Sequence, residues 1–475
     1  EEFGLTTLSC SPNVGRGWTN GVECQESSIC TTCDSRGLCA TPSQFPMYKA
    51  LDPELNQGEA NMMAEIYAYG PVSCGFNSHD DAYENYDGGI IDSPNTSTSL
   101  THFVEVVGWG TDNDIDYWLV KNTAGTGWGI HGYFKIRRRQ GNLGIEYHNC
   151  VSMTPILDPE WNGPNRERPR DLAKAHRPYT TEYPWTRQRN FTVSKLHQSH
   201  KFYSDSKQSP RFSIEENLPS RWDWRDLNGW NYISPVFHEH APNYCNVSWA
   251  AATTRMVTDR LNIKTENVFP SVILSVQVML NCAVGTCQGG NPVDVYGFLS
   301  AHGGVDESCG TYVAAAPSVP NCQGRTVCQR CDGSNPPTDG YLEGDCMAVT
   351  PNKKYYISEY GSLDNSNEAL MTEIKLHGPI VCAMQVTDDL RSSYTSGIYP
   401  YSAETSLEEL NHFVSVIGWG TDLDSQGRFW IIRNSWGDFW GEGGFFRVWM
   451  DQLNGGIGYD CSYAEPIVGE WPTVV

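Results

Sequence analysis

A chain of 475 residues has room for more than one buried core, since single domains usually run to about 100–200 residues. Its formal charge of −23 repels phosphate backbones and anionic lipid, so no nucleic acid and no membrane surface is expected as a direct partner. Sixteen Trp, 24 Tyr and an aromatic share of 12% argue against disorder, and no apolar run reaches the ~18 residues of a membrane helix. Seventeen cysteines and the sequons at Asn95, Asn190 and Asn246 point to an oxidising setting: the secretory pathway, with a lysosome or granule lumen or the extracellular space as destination. Asn95 and Asn190 are the candidate glycosylation sites. Residues 1–4 carry neither a basic start nor an apolar stretch, so no signal peptide is visible.

In chain order, the first organised feature is a repeat. Met63-Ala64-Glu65-Ile66 and Gly70-Pro71-Val72-Ser73-Cys74 are matched by Met371-Thr372-Glu373-Ile374 and Gly378-Pro379-Ile380-Val381-Cys382. His102-Phe103-Val104 returns as His412-Phe413-Val414, and Gly108-Trp109-Gly110 as Gly418-Trp419-Gly420. The first copy matches only the back half of the second, because residues 218–308 have no counterpart before them. Residues 158–217 hold eleven Lys and Arg against eight Asp and Glu, many Pro and Ser, and no helical or strand period. The expected organisation is therefore a partial copy over 1–157, a linker or propeptide-like strap over 158–217, and a complete domain over 218–475.

In the complete copy, apolar residues at 249, 252, 256, 257 and 261 have helical spacing, and Ser248 is a suitable cap at the start of that helix. Farther on, His412 opens an apolar run and Asn434-Ser435-Trp436-Gly437 closes another, both with strand composition and glycine punctuation. A helical lobe is expected to precede a β lobe.

This order of nucleophile position, His and Asn, with Cys245-Asn246-Val247-Ser248-Trp249 standing where papain-like enzymes have Cys-Gly-Ser-Cys-Trp, resembles the papain-like cysteine peptidases. Within that family, Leu218-Pro219-x-x-Trp222-Asp223-Trp224-Arg225, His240-Ala241-Pro242, Leu274-Ser275-Val276-Gln277 and Gln288-Gly289-Gly290 resemble the cathepsin Z (cathepsin X) group over residues 218–468. The resemblance implies an α+β, two-lobe fold, a helical lobe facing a β-barrel-like lobe, with one complete copy preceded by a partial one. It also implies a cleft lined by His240, Ala241, Pro242, Trp249, Gly289, Gly290 and Trp436, in which the short loop around His240 leaves room only for a substrate's last residue.

The chain departs from the pattern at the chemistry itself. Papain-type sites use a thiolate whose pKa falls from ~8.5 to ~3–4 beside an imidazolium and a helix N-terminus. Ser248 replaces that cysteine, and a hydroxyl is not ionised by the same devices. The family's oxyanion-hole Gln maps onto Glu239, which puts an acid where negative charge develops. His412 and Asn434 remain. In the partial copy His102 and Asn122 hold the equivalent places, but Thr123-Ala124 follows where Ser435-Trp436 stands in the complete one, and no cysteine-tryptophan motif precedes them.

The resemblance further implies disulfides Cys245–Cys287, Cys282–Cys322, Cys309–Cys328, Cys331–Cys346 and Cys382–Cys461 in the complete copy, and Cys10–Cys30, Cys33–Cys39 and Cys74–Cys150 in the partial one. Cys24 is left over, which suggests an upstream polypeptide bonded to it; a free Cys24 thiol in a monomer would contradict that. Cys30-x-x-Cys33 and Cys328-x-x-Cys331 have zinc-like spacing but are read as bridges, so no metal and no cofactor is expected. The function expected is that of an inactive papain-like protein with a structural or protein-binding role. The alternatives are a working peptidase, using Ser248 or a nucleophile from an upstream fragment, and a decoy that holds peptide C-termini.

Overall fold

The computed structural model describes residues 5–11, 29–93, 99–139, 142–147, 150–157, 218–267, 272–282, 284–317, 322–331, 346–350, 352–450 and 454–469. Cys24, Asn95, Asn190 and the strap expected over 158–217 lie outside the described residues.

A hairpin of β1 (Thr32–Cys33) and β2 (Cys39–Ala40) precedes a sheet of β3 (Tyr48–Leu55), β4 (Val72–Phe76), β5 (Ile90–Ile91), β6 (His102–Asp112), β7 (Ile115–Lys121), β8 (Tyr133–Arg137) and β9 (Val151–Leu157). Then come β10 (Trp222–Asp223), the hairpin of β11 (Gln329–Cys331) and β12 (Cys346–Ala348), and a second sheet. That sheet holds β13 (Ile357–Ser362), β14 (Ile380–Met384), β15 (Ile398–Tyr399), β16 (His412–Thr421), β17 (Arg428–Arg433), β18 (Phe445–Trp449) and β19 (Cys461–Pro466).

The first sheet runs β3-β9-β4-β6-β7-β8-β5 and the second β13-β19-β14-β16-β17-β18-β15, so corresponding strands occupy corresponding places. Both sheets shift register at the same point, after Val106 and after Val416, and both end on a parallel pair, β5 with β8 and β15 with β18. Trp109 faces Trp118 across one ladder and Trp419 faces Trp430 across the other, large cross-strand pairs that hold the register. Cys74–Cys150 and Cys382–Cys461 staple the same place in each sheet. Among the described residues only the second sheet gains a strand like β10, whose Trp222 carbonyl passes so close to Gly418 that a Cβ there would collide with it.

In front of the second sheet stand the helices Ser248–Lys264, Gln277–Asn281 and Pro292–His302. Asn291 caps the last of these through the Val293 N–H at 3.0 Å, and Pro292 fills its first position, where a missing N–H costs nothing. The apolar core of this lobe packs Trp249, Met256 and Val257 against Leu274, Val278, Tyr296 and Leu299, and a separate core fills the β lobe around Trp419, Trp430 and Phe446.

The helix Ser248–Lys264 is buried from Ser248 through Leu261 although much of it is polar. Thr253, Thr254 and Thr258 dispose of their hydroxyls on carbonyls one turn back, at 2.6, 2.9 and 2.8 Å. Asp259 pairs with Arg433 of β17 at 2.7 Å. Arg260, fully enclosed, meets Glu373 at 2.7 Å and Glu465 at 2.9 Å. The helix is thus fastened to the β lobe by charge as well as by apolar contact.

Disulfides also join Cys10–Cys30, Cys33–Cys39, Cys245–Cys287, Cys282–Cys322 and Cys309–Cys328. Cys346 is disulfide-bonded and lies opposite Cys331 in the β11–β12 register.

Removing Arg260 leaves two carboxylates without their buried cation, a loss of about 3–5 kcal/mol. Urea unfolding of Arg260→Ala should read a destabilisation of that size; a change within about 0.5 kcal/mol, as at an ordinary surface position, would contradict this account of the helix.

Candidate active site

Ser248 is the first residue of its helix, and Val247, one residue earlier than the sequence suggests, is the N-cap. Val247 has no capping side chain of its own. The cap comes from Glu239: its Oε2 accepts from the Val247 N–H at 2.9 Å, and the Ser248 N–H also reaches the carboxyl. Glu239 Oε1 accepts from Trp436 Nε1 at 2.8 Å, the Tyr312 hydroxyl donates to the Glu239 carbonyl at 2.8 Å, and the Glu239 N–H donates to the Ser435 carbonyl at 2.9 Å. One side chain therefore joins the helix start to the tryptophan on the β lobe. Burial pushes its carboxyl up to about 8, against the pull of its hydrogen bonds.

Strand β16 carries His412 into the same place, and Nε2 donates to Asn434 Oδ1 at 2.8 Å, which leaves Nδ1 as the basic nitrogen. Asn434 follows β17 directly, and its Oδ1 also accepts from the Ser435 N–H at 2.9 Å. The Trp436 ring lies 5.0 Å from the imidazole. Burial lowers His412 to about 4, so the ring is neutral at ordinary pH. The Ser248 hydroxyl accepts from the Phe413 N–H at 3.4 Å. Ser248, Trp249, Gly289, Gly290 and His412 line one open cavity of about 620 Å³, together with Ala383, Asn411, Tyr459 and Asp460. A Cβ at Gly290 would stand 2.5 Å from the Trp249 ring, so the cavity floor there requires glycine.

His240, Ala241 and Pro242 form the loop beyond Glu239, with a cis peptide before Pro242. The His240 ring stacks on Tyr244 at 4.5 Å, and burial lowers it to about 3, so it carries no charge with which to hold a carboxylate. Asn246 lies at the cavity rim.

In the first sheet His102 Nε2 meets Asn122 Oδ1 at 2.9 Å, the same pairing as His412 with Asn434. The Asn122 amide donates to the Tyr83 hydroxyl at 3.0 Å, with Trp128 packed on Tyr83 at 5.1 Å. Tyr83 was missed by sequence reasoning, and so were Tyr312 and Asp438. Only the buried indole N–H of Trp436, which requires an acceptor, hinted at Glu239's partner.

A papain-like site is thus defined by its two lobes, the helix start between them and the histidine–asparagine pair. The chain belongs to the papain family of cysteine proteases, whose description, Papain family cysteine protease, matches residues 19–153 and 218–465. It is 34% identical to "Cathepsin Z" of Onchocerca volvulus over 277 residues, 57% of this chain and 84% of that one. It is 40% identical over 255 residues to "Gut-specific cysteine proteinase" of Caenorhabditis elegans, 52% of this chain and 71% of that one. Among solved structures, bromelain from Ananas comosus with the E64 inhibitor has 27% identity and a TM-score of 0.40, covering 52% of this chain and 99% of bromelain.

The buried groups fix the pH dependence of stability. His238, lowered by burial to about 4, and His412, also at about 4, bind protons more tightly unfolded, near 6.5, so stability they allow above 6.5 is lost as pH falls toward 4. Glu239 binds its proton more tightly folded, at about 8, than unfolded, at 4.5, so stability declines as pH rises between those values. Thermal melts across pH should show both limbs, and Glu239→Gln should flatten the alkaline one; an unchanged alkaline limb would contradict the buried, protonated carboxyl.

Proposed function

We propose that this chain is a catalytically inactive, cathepsin Z-related papain-like protein with a structural or protein-binding role in a secretory or extracellular setting. The observation that carries the reading is the Glu239 carboxyl on the Val247 and Ser248 N–H groups, beside a hydroxyl in place of a thiol. A papain-type site keeps such donors free for the oxygen that becomes negative during acyl transfer, and losing one donor costs about 10²–10³ in turnover. Here they are occupied from within the chain. The resting ion pair is also missing, because Ser248 has no low pKa and His412 is neutral.

Several observations support the wider reading. The matching strand orders and paired staples fit one complete papain unit, 218–475, preceded by a partial one, 1–157, with 158–217 as a strap between them. Cathepsin relatives and the many disulfides fit secretory or lysosomal compartments, and no helix among the described residues is long and apolar enough to cross a membrane. No cysteine-tryptophan motif precedes His102 in this sequence, and Phe103 of β6 is exposed, which supports including a protein partner such as a polypeptide bonded through Cys24.

The test is a carboxypeptidase assay with a thiol-alkylating control. The native protein should be silent, Ser248→Cys should become alkylated with little turnover, and Ser248→Cys with Glu239→Gln should exceed it by about 10²-fold or more. Native activity abolished by the thiol reagent would contradict the proposal and reveal a nucleophile elsewhere.

A further inference from the structure

The cysteine-bonded segment ahead of the first sheet makes its closest polar contacts with the loop and cleft wall of the complete unit. His238 Nδ1 donates to the Ser9 carbonyl at 2.7 Å, and its Nε2 accepts from the Thr32 hydroxyl at 3.2 Å. The Cys33 N–H donates to the His240 carbonyl at 2.9 Å, and Cys33 Sγ lies 3.3 Å from the Pro242 carbonyl oxygen. Asp438, two residues beyond Trp436, accepts from the Ser9 hydroxyl at 2.5 Å and the Thr7 hydroxyl at 3.1 Å. Ser9, Cys10, Cys30 and Cys33 are buried, and the bridges Cys10–Cys30 and Cys33–Cys39 tie the described parts of the segment together.

Residues 238 and 436 form a bridge of their own, so the segment grips both walls at one end of the cleft. The open cavity borders Ser248 and His412. Its lining includes Gly289, Gly290, Tyr459 and Asp460 but neither His240, Trp436 nor Asp438. Among the described residues no Lys or Arg lines it, and Asp460 gives it an acidic end.

We propose that the first unit's disulfide-bonded segment closes the His240 end of the cleft in cis, leaving a one-ended groove that takes the last residues of an extended peptide with a basic side chain. The glycine edge at Gly289 and Gly290 lets a peptide backbone approach closely, as a side chain there would not. Asp460 selects a basic side chain and disfavours an acidic one. A chain continuing past Ser248 meets the loop braced by Ser9, Thr32 and Cys33. This inference rests on the inactive reading, because bound peptide must persist uncut.

Fluorescence polarisation tests it with a labelled hexapeptide that has arginine as its penultimate residue and a free C-terminus, beside the same peptide extended by four residues. The shorter peptide should bind the native protein about tenfold more tightly, equivalent to about 1.4 kcal/mol. Asp438→Ala, which releases Thr7 and Ser9, should bring the two affinities together, and Asp460→Lys should weaken both. Ser9→Ala with Thr7→Val gives the same release from the other side of the contact, should Asp438→Ala fail to fold. Equal binding of both peptides to native protein, a preference untouched by both release variants, or no binding of either peptide would overturn the inference. Mass spectrometry of the same samples separates the two readings, since cleaved peptide would defeat the inactive reading and leave the groove's one-ended shape to be judged from binding alone.

Discussion

One buried carboxyl organises the centre of this molecule. Glu239 supplies the acceptor that the first turn of the helix Ser248–Lys264 lacks, and the same side chain satisfies the indole of Trp436 on the opposite lobe. A helix start leaves backbone N–H groups without partners, and inside a protein each such group must find one. Where a papain-type enzyme leaves room for substrate oxygen, this chain completes the bonds itself. The first N–H groups of the helix thus find their acceptor within the chain.

The surroundings keep that carboxyl in place. The lobes meet along a helix that is polar in composition yet enclosed, which is possible because Asp259 and Arg260 each find an opposite charge on the β lobe. His412 and Asn434 retain their bond, and Trp436 covers them. The lowered pKa of His412 follows from its enclosure. The first sheet shows the same pair, His102 with Asn122, supported by Tyr83 of the short helix Asp81–Glu84.

Much of this was legible in the sequence because it depends on local pattern. Strand periods, the repeated His-Phe-Val and Gly-Trp-Gly triplets and the helical spacing after Ser248 placed the elements that the sheets and helix occupy. The position of the cap was not legible. Ser248 has the right chemistry for it, but the helix begins one residue earlier because an acceptor eight residues upstream takes the N–H groups. Glu239 was legible as a departure from the family, whereas its protonation and partners needed the fold. The contacts of Thr7 and Ser9 with Asp438 join residues more than four hundred positions apart, and no periodicity or spacing encodes such a meeting. Tyr83 likewise acquires its role only where the fold brings it to the Asn122 amide.

The most direct test of the account is a crystal structure of the unliganded protein grown at mildly acidic pH, with electron density clear enough to place the Glu239 carboxyl. The account predicts both carboxyl oxygens engaged, one on the Val247 N–H and the other on Trp436 Nε1. A Glu239 side chain turned away, with water or open space on the helix N–H groups, would contradict it, because the oxyanion position would then be vacant and ready for use.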